Sequence, residues 1–130
     1  MKELAPVVLR IGMAIVFLWF GTQQLLHTSM WVGLIPALLT KVSGLTSSTL
    51  VHFNGAFEIV FGLAVLIGYQ TRVAALFLGL HLLTITLDVG YGAIGVRDFG
   101  LSIASLAVAL YGAGGFSLDA RKMISTVANS

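Results

Sequence analysis

Four stretches of this sequence are long and apolar enough to cross a bilayer: Pro6 to about His27, Leu50 to Gly68, Arg72 to about Val89, and Phe99 to Gly114. A hydrocarbon core about 30 Å thick takes roughly 17 to 25 residues of helix. Backbone groups left unpaired in hydrocarbon are so costly that only helices or closed barrels span it, and the even, non-alternating apolarity selects helices. The fourth run is short for a full crossing, so it is expected to use flanking polar residues or to stand nearly upright. The fold class that follows is all-α: an integral membrane four-helix bundle, with residues 1–130 forming a single membrane domain.

Composition agrees. Hydrophobic residues make up 58% of the chain and charged residues 9%, against roughly 25% charged in an ordinary soluble domain. Seven Lys and Arg and five Asp and Glu cannot cover the surface of so short a chain in water. Lipid must be the solvent for most of it. There is no cysteine, which removes thiol chemistry, disulfides, Cys-ligated zinc and Cys-ligated clusters. A net charge of +2, scattered along the chain, gives no footprint for nucleic acid.

The cations set an orientation. Lys2, Arg10, Arg72, Arg121 and Lys122 fall at the N-terminus, the second connection and the C-terminus, while Lys41 and Arg97 fall in the other two connections. This distribution predicts a multi-pass protein of the cytoplasmic (inner) membrane with both termini cytoplasmic. The first run is longer than a signal-peptide core and no A-x-A site follows it, so the first helix is expected to be retained. Thr28 to Thr49 is a long connection containing Trp31 to Leu39, too short to span and too apolar for water. It reads as a short interfacial or re-entrant helix between helices 1 and 2, with Trp31 at the headgroup level. Gly90 to Asp98, with three glycines, reads as an irregular loop.

Ionisable groups inside a span are functional candidates by default. On the first helix Arg10, Met13, Phe17, Gly21 and Gln24 share a face. Arg10 either points along that face or snorkels to the headgroups. Glu58 lies ten residues from Gly68, which at 1.5 Å per residue is about 15 Å deep. A carboxylate there is either protonated or paired with a cation, for which Arg10 is the best placed. Asn54 sits one turn before it, and Gly55 and Gly62 make a small-residue stripe that a neighbouring helix or a flat ligand could approach. The Glu58 and Arg10 pair could equally pin two helices. On the third helix His81, Thr84 and Asp88 share one face. His27, His52 and His81 lie on different segments without metal-ligand spacing, and no metal is assigned. Ser102, Ser105, Ala109 and Gly112 form a second small-residue stripe.

Together Gln23, Gln24, His27, His52, Asn54 and Asp88, with Glu58 and His81 below them, describe a polar pocket open to the outer side. Phe17, Trp19, Phe20, Phe53 and Phe57 lie near it. The candidate ligand or proton-site residues are Arg10, Gln24, Asn54, Glu58, His81 and Asp88. Such a pocket suits a quinone-like or other small amphiphile, and it suits a proton path equally. No nucleophile and base, phosphate loop or dinucleotide motif is present, so no catalytic residue is assigned.

The stretch from Arg10 to Gly21, the segment from Glu58 to Gly68 followed by Thr71 to Leu76, the run Arg97-Asp98-Phe99-Gly100, and Gly112 to Arg121 resemble the DoxX family of small four-helix membrane proteins. The family takes its name from a small subunit of an archaeal quinol-oxidising system. The resemblance implies an accessory subunit of a quinone-linked oxidoreductase complex, with quinone as the possible ligand, no covalently bound cofactor, and other membrane subunits or a second copy as partners besides lipid. Many relatives carry a lysine just before Leu25, where this chain has Gln23-Gln24, so any contact that lysine makes is absent here. Two other classes stay open: a structural or assembly subunit whose small-residue stripes dock partners, and a small oligomeric transporter, since four helices enclose little room.

Overall fold

The computed structural model describes residues 2–130, and the described residues contain helices and turns with no strand. Six α-helices follow in order: α1 Ala5–Leu26, α2 Ala37–Ser43, α3 Ser47–Ile67, α4 Thr71–Val89, α5 Ala93–Tyr111 and α6 Leu118–Ala128. Four of them, α1, α3, α4 and α5, are long and apolar enough to span a membrane. With four crossings both chain ends lie at one end of the bundle, called here the terminal end. The connection from α1 to α3 and that from α4 to α5 lie at the other, the loop end.

The fourth span is longer than its apolar run. Helix α5 starts at Ala93 rather than Phe99 and has 19 residues, about 28 Å at 1.5 Å per residue. Gly90 to Gly92 is therefore the loop between α4 and α5, and Arg97 and Asp98 are helical. Gly95 makes the early start possible: a Cβ there would collide with the carbonyl of Gly90. The expected short helix between the first two spans is present, though shifted. Two 3-10 turns, Thr28–Met30 and Val32–Leu34, carry the chain past Trp31, and the α-helical part comes after Pro36.

Helices α1 and α3 make one close pair, α4 and α5 the other. At the α1 and α3 contact Gly21 faces the Gly55 carbonyl, and Gly62 lies against Phe17 and Leu18. At the α4 and α5 contact Ser102 Oγ donates to the Gly79 carbonyl at 2.8 Å, and from the same face of α5 Ser105 Oγ reaches Met13 Sδ on α1 at 3.0 Å. Both small-residue stripes are thus consumed inside the bundle. In this packing neither stripe is free to dock a partner subunit, the part that the structural-subunit alternative gave them. The outward faces carry large apolar side chains instead, among them Ile15, Trp19, Val60, Phe77 and Leu110, as lipid contact requires.

The dry core, built around Met13, Phe17, Val65, Leu78, Leu82 and Val108, fills the middle and the terminal half. Below it the chain closes on itself. The Asp119 carboxylate accepts from the Gln70 and Thr71 amides at 2.9 and 2.8 Å, and so caps α4 from a distant segment. Burial pushes this carboxyl up, but the Thr71 and Gln70 hydrogen bonds and nearby Lys122 together hold it below its ordinary value.

Candidate functional site

Arg10 does not meet Glu58. Its guanidinium is buried at the terminal end, where it lies against Gly68 and Ser117 and Nη2 donates to the Phe116 carbonyl at 3.0 Å. Gly68 is ten residues, about 15 Å of helix, from Glu58. The antiparallel pairing of α1 with α3 is the reason: Gly21 lies against Gly55 and Ile59, Phe17 against Gly62, and Arg10 against Gly68. Sharing a face with Gln24 places Arg10 on the buried side of α1, yet nearly three turns of helix from the carboxylate. Nor does it snorkel, since only 1% of it is exposed.

Glu58 is satisfied by amides. Gln24 Nε2 donates to Oε2 at 3.0 Å and Asn54 Nδ2 to Oε1 at 3.2 Å. Asn54 Nδ2 also donates to Gln24 Oε1 at 2.5 Å, which closes a triangle. Asn54 Oδ1 makes a close hydrogen bond with His81 Nε2, bringing in the third helix of the cluster, and the His81 ring stacks on Phe57 with centroids 4.5 Å apart. Both carboxylate oxygens accept, the arrangement a buried anion requires. Four of the six sequence candidates, Gln24, Asn54, Glu58 and His81, therefore form one hydrogen-bonded unit near the middle of the bundle.

That unit forms the inner wall of a cavity of about 450 Å³. Much of the remaining wall is apolar and aromatic, with Phe17, Phe20 and Phe53 from the helices and Trp31, Pro36 and Leu39 from the connection after α1, while Asp88, Arg97 and Asp98 bring charge to it nearer the loop end. Asp88 lines the same cavity one level nearer the loop end. It is exposed and, among the described residues, makes no hydrogen bond to the cluster. Gln23, His27 and His52 are not in the wall. His52 instead ties the two helix ends together, Nδ1 meeting the Ser48 carbonyl at 2.8 Å and Nε2 meeting Thr28 Oγ1 at 3.2 Å. Trp19 points outward, 55% exposed.

Arg97 and Asp98 are the residues that the polar-residue reading missed. Asp98 is 4% exposed, lines the cavity, and pairs with Arg97 Nη2 at 2.7 Å. The Arg97 guanidinium lies 4.5 Å over the Phe20 ring, and Phe20 meets Trp31 edge to face at 5.7 Å. A charged pair running straight into the apolar stretch from Phe99 was the available signal, since a span of normal length has to include it. Among the described residues no three His, Asp and Glu gather in a metal-binding group.

Against known proteins, the DoxX family model matches residues 5–91. The chain belongs to the DoxX family. No curated protein and no solved structure matches it. The DoxX match runs from α1 to the end of α4 and takes in Gln24, Asn54, Glu58, His81 and Asp88. Arg97, Asp98 and the segment from Gly112 to Arg121 lie beyond it.

Proposed function

We propose that this DoxX-family protein is an accessory membrane subunit of a quinone-linked oxidoreductase complex, and that its cavity holds the quinol or quinone headgroup. It would sit in the cytoplasmic membrane with both termini on the cytoplasmic side. One observation carries the reading: a satisfied polar cluster stands at the inner wall of a largely apolar and aromatic cavity, with Asp88, Arg97 and Asp98 as its other charged groups, that is large enough for an aromatic headgroup.

The donors and acceptors suit such a ring. Glu58, Asp88 and Asp98 bring three carboxylates to the cavity against the single guanidinium of Arg97, in a chain whose net charge is +2. This acceptor-rich wall disfavours acidic amphiphiles and favours ligands that donate hydroxyl hydrogens. A bound quinol would supply two electrons and two protons. Glu58 and Asp88 would accept its hydroxyl hydrogens, Arg97 would donate to a carbonyl of the oxidised ring, and Phe20 and Trp31 would exclude water. The chain has no cysteine and so no thiolate-held cluster, and the electron acceptor is assigned to a partner subunit.

The purified protein carrying Trp19→Phe leaves Trp31 as the reporter tryptophan. Titration with a short-chain quinol is expected to quench it saturably. Glu58→Gln should weaken binding about tenfold, the loss of one charge-assisted hydrogen bond of roughly 1.5 kcal/mol. Quenching that never saturates, or that is unchanged in Glu58→Gln, would count against the reading.

A further inference from the structure

Helix α6 has two unlike faces. At 100° per residue Ala120, Met123, Ile124 and Val127 cluster on one side, while Arg121, Lys122, Ser125 and Thr126 lie on the other. Met123, Ile124 and Val127 are 70 to 75% exposed, and Phe116, just before the helix, is 86% exposed. Among the described residues no helix covers that face. In water so much apolar surface on eleven residues would be a liability.

Its position decides what covers it. The short link Gly112 to Ser117 leads directly from the end of the α5 span, and the Asp119 amide donates to the Gly68 carbonyl at 2.9 Å. With Asp119 also capping α4, α6 is fastened to the ends of three spanning helices, and the ends of helices that just span the hydrocarbon core meet the headgroup region. The α6 face of Met123, Ile124 and Val127 is as exposed as the outward apolar residues of those helices. The charge at this end is also one-sided: Lys2, Arg72, Arg121 and Lys122 against Glu3 and Asp119, with Asp119 engaged by backbone amides. Between α6, the start of α4 and the end of α5 lies an open cleft of about 630 Å³ with Arg72, Tyr111, Met123 and the amide-bound Asp119 in its walls.

We propose that α6 is an interfacial helix that lies on the bilayer surface, with Met123, Ile124 and Val127 in the acyl boundary and Arg121, Lys122 and Arg72 holding anionic lipid headgroups. An amphipathic helix with a basic polar face binds this way through apolar burial and attraction to anionic lipid. The role is independent of the cavity and stands whether or not a quinol binds there.

The chain has no cysteine, so a single introduced thiol gives a unique label. Val127→Cys and Ser125→Cys, each carrying an environment-sensitive fluorophore, are compared in the full-length protein in vesicles of neutral lipid and of neutral lipid with phosphatidylglycerol. The label at position 127 is expected to be quenched by lipid-borne quencher and shielded from aqueous iodide in the anionic vesicles, with the label at 125 showing the opposite. Adding Arg121→Glu and Lys122→Glu, both exposed though Lys122 lies over the Tyr69 ring, should reduce that shielding on the order of tenfold, since each cation near an anionic surface is worth a factor of several. The label at 125 and retention of the Trp31 signal report that the fold is intact. Equal iodide access at 125 and 127, shielding indifferent to phosphatidylglycerol and to the charge reversals, or shielding that follows protein density in the vesicle and so marks a second copy, would each overturn the proposal.

Discussion

Gly21→Leu is expected to break the bundle, while Gly12→Ala on the same helix is harmless. A Cβ at Gly21 would stand 2.7 Å from the Gly55 carbonyl oxygen and 2.8 Å from Ile59 Cγ1. The first contact is with backbone, which cannot swing aside. Even Gly21→Ala should therefore lose about 1 to 3 kcal/mol, the usual penalty for overpacking, and the larger side chain should lose more. The same displacement carries Gln24 away from Glu58, so the damage reaches the polar cluster one turn along. Nothing lies within 4 Å of a Cβ at Gly12, where alanine should gain up to about 1 kcal/mol from helix propensity. Unfolding of the two variants in detergent, followed by circular dichroism, gives the comparison. Equal stabilities would mean that the α1 and α3 crossing is not where the glycines place it.

The second large effect belongs to Asn54. This side chain donates through Nδ2 to both Gln24 and Glu58, and its Oδ1 accepts from His81 Nε2. Asn54→Leu removes all of these at once. Hydrogen bonds between membrane helices average only about 0.6 kcal/mol, but buried groups left without partners cost about 1 to 3 kcal/mol each. Gln24 and Glu58 keep the bond between them, whereas His81 loses its partner on α3. A net loss of about 2 kcal/mol follows from those magnitudes. In a double-mutant cycle with His81→Leu the two losses should add to less than their sum, because the shared bond is removed only once. Asp88→Asn, in the same cavity and outside the network, should leave stability unchanged. If Asn54→Leu were the more stable protein, the cluster would be a burden on the fold with no structural part.

Apolar run length made the four spans legible in the sequence, because a bilayer imposes a minimum that little else imitates. The start of α5 was hidden for a related reason. Gly92, Gly95, Arg97 and Asp98 lower local hydropathy, and the compensation, Gly95 under the Gly90 carbonyl and Asp98 paired in the cavity, is tertiary. The membership of the site was partly legible. Counting residues at 1.5 Å each placed Glu58 and His81 at one depth and Gln24 and Asn54 just outward of them, and the hydrogen bonds that join all four are tertiary. The misplacement of Arg10 came from sharing a face without sharing a level: helical periodicity fixes the first, and only the antiparallel register of α1 on α3 fixes the second. Helix α6 went unread because eleven mixed residues at a chain end carry no spanning signal. Its role at the terminal end depends on Asp119 reaching back to α4, a contact 48 residues away in sequence.

The central claim is that the cavity beside Glu58 receives an amphiphilic ring. The most direct measurement is photoaffinity labelling of the protein in native membranes with an azido-quinone, followed by peptide mapping and competition with unlabelled quinol. The account predicts label on the Trp31 to Leu39 connection and on the α3 segment from Phe53 to Glu58, lost on competition and lost in Glu58→Gln. Label confined to outward residues such as Val60, Phe77 and Leu110, and indifferent to competitor, would contradict it.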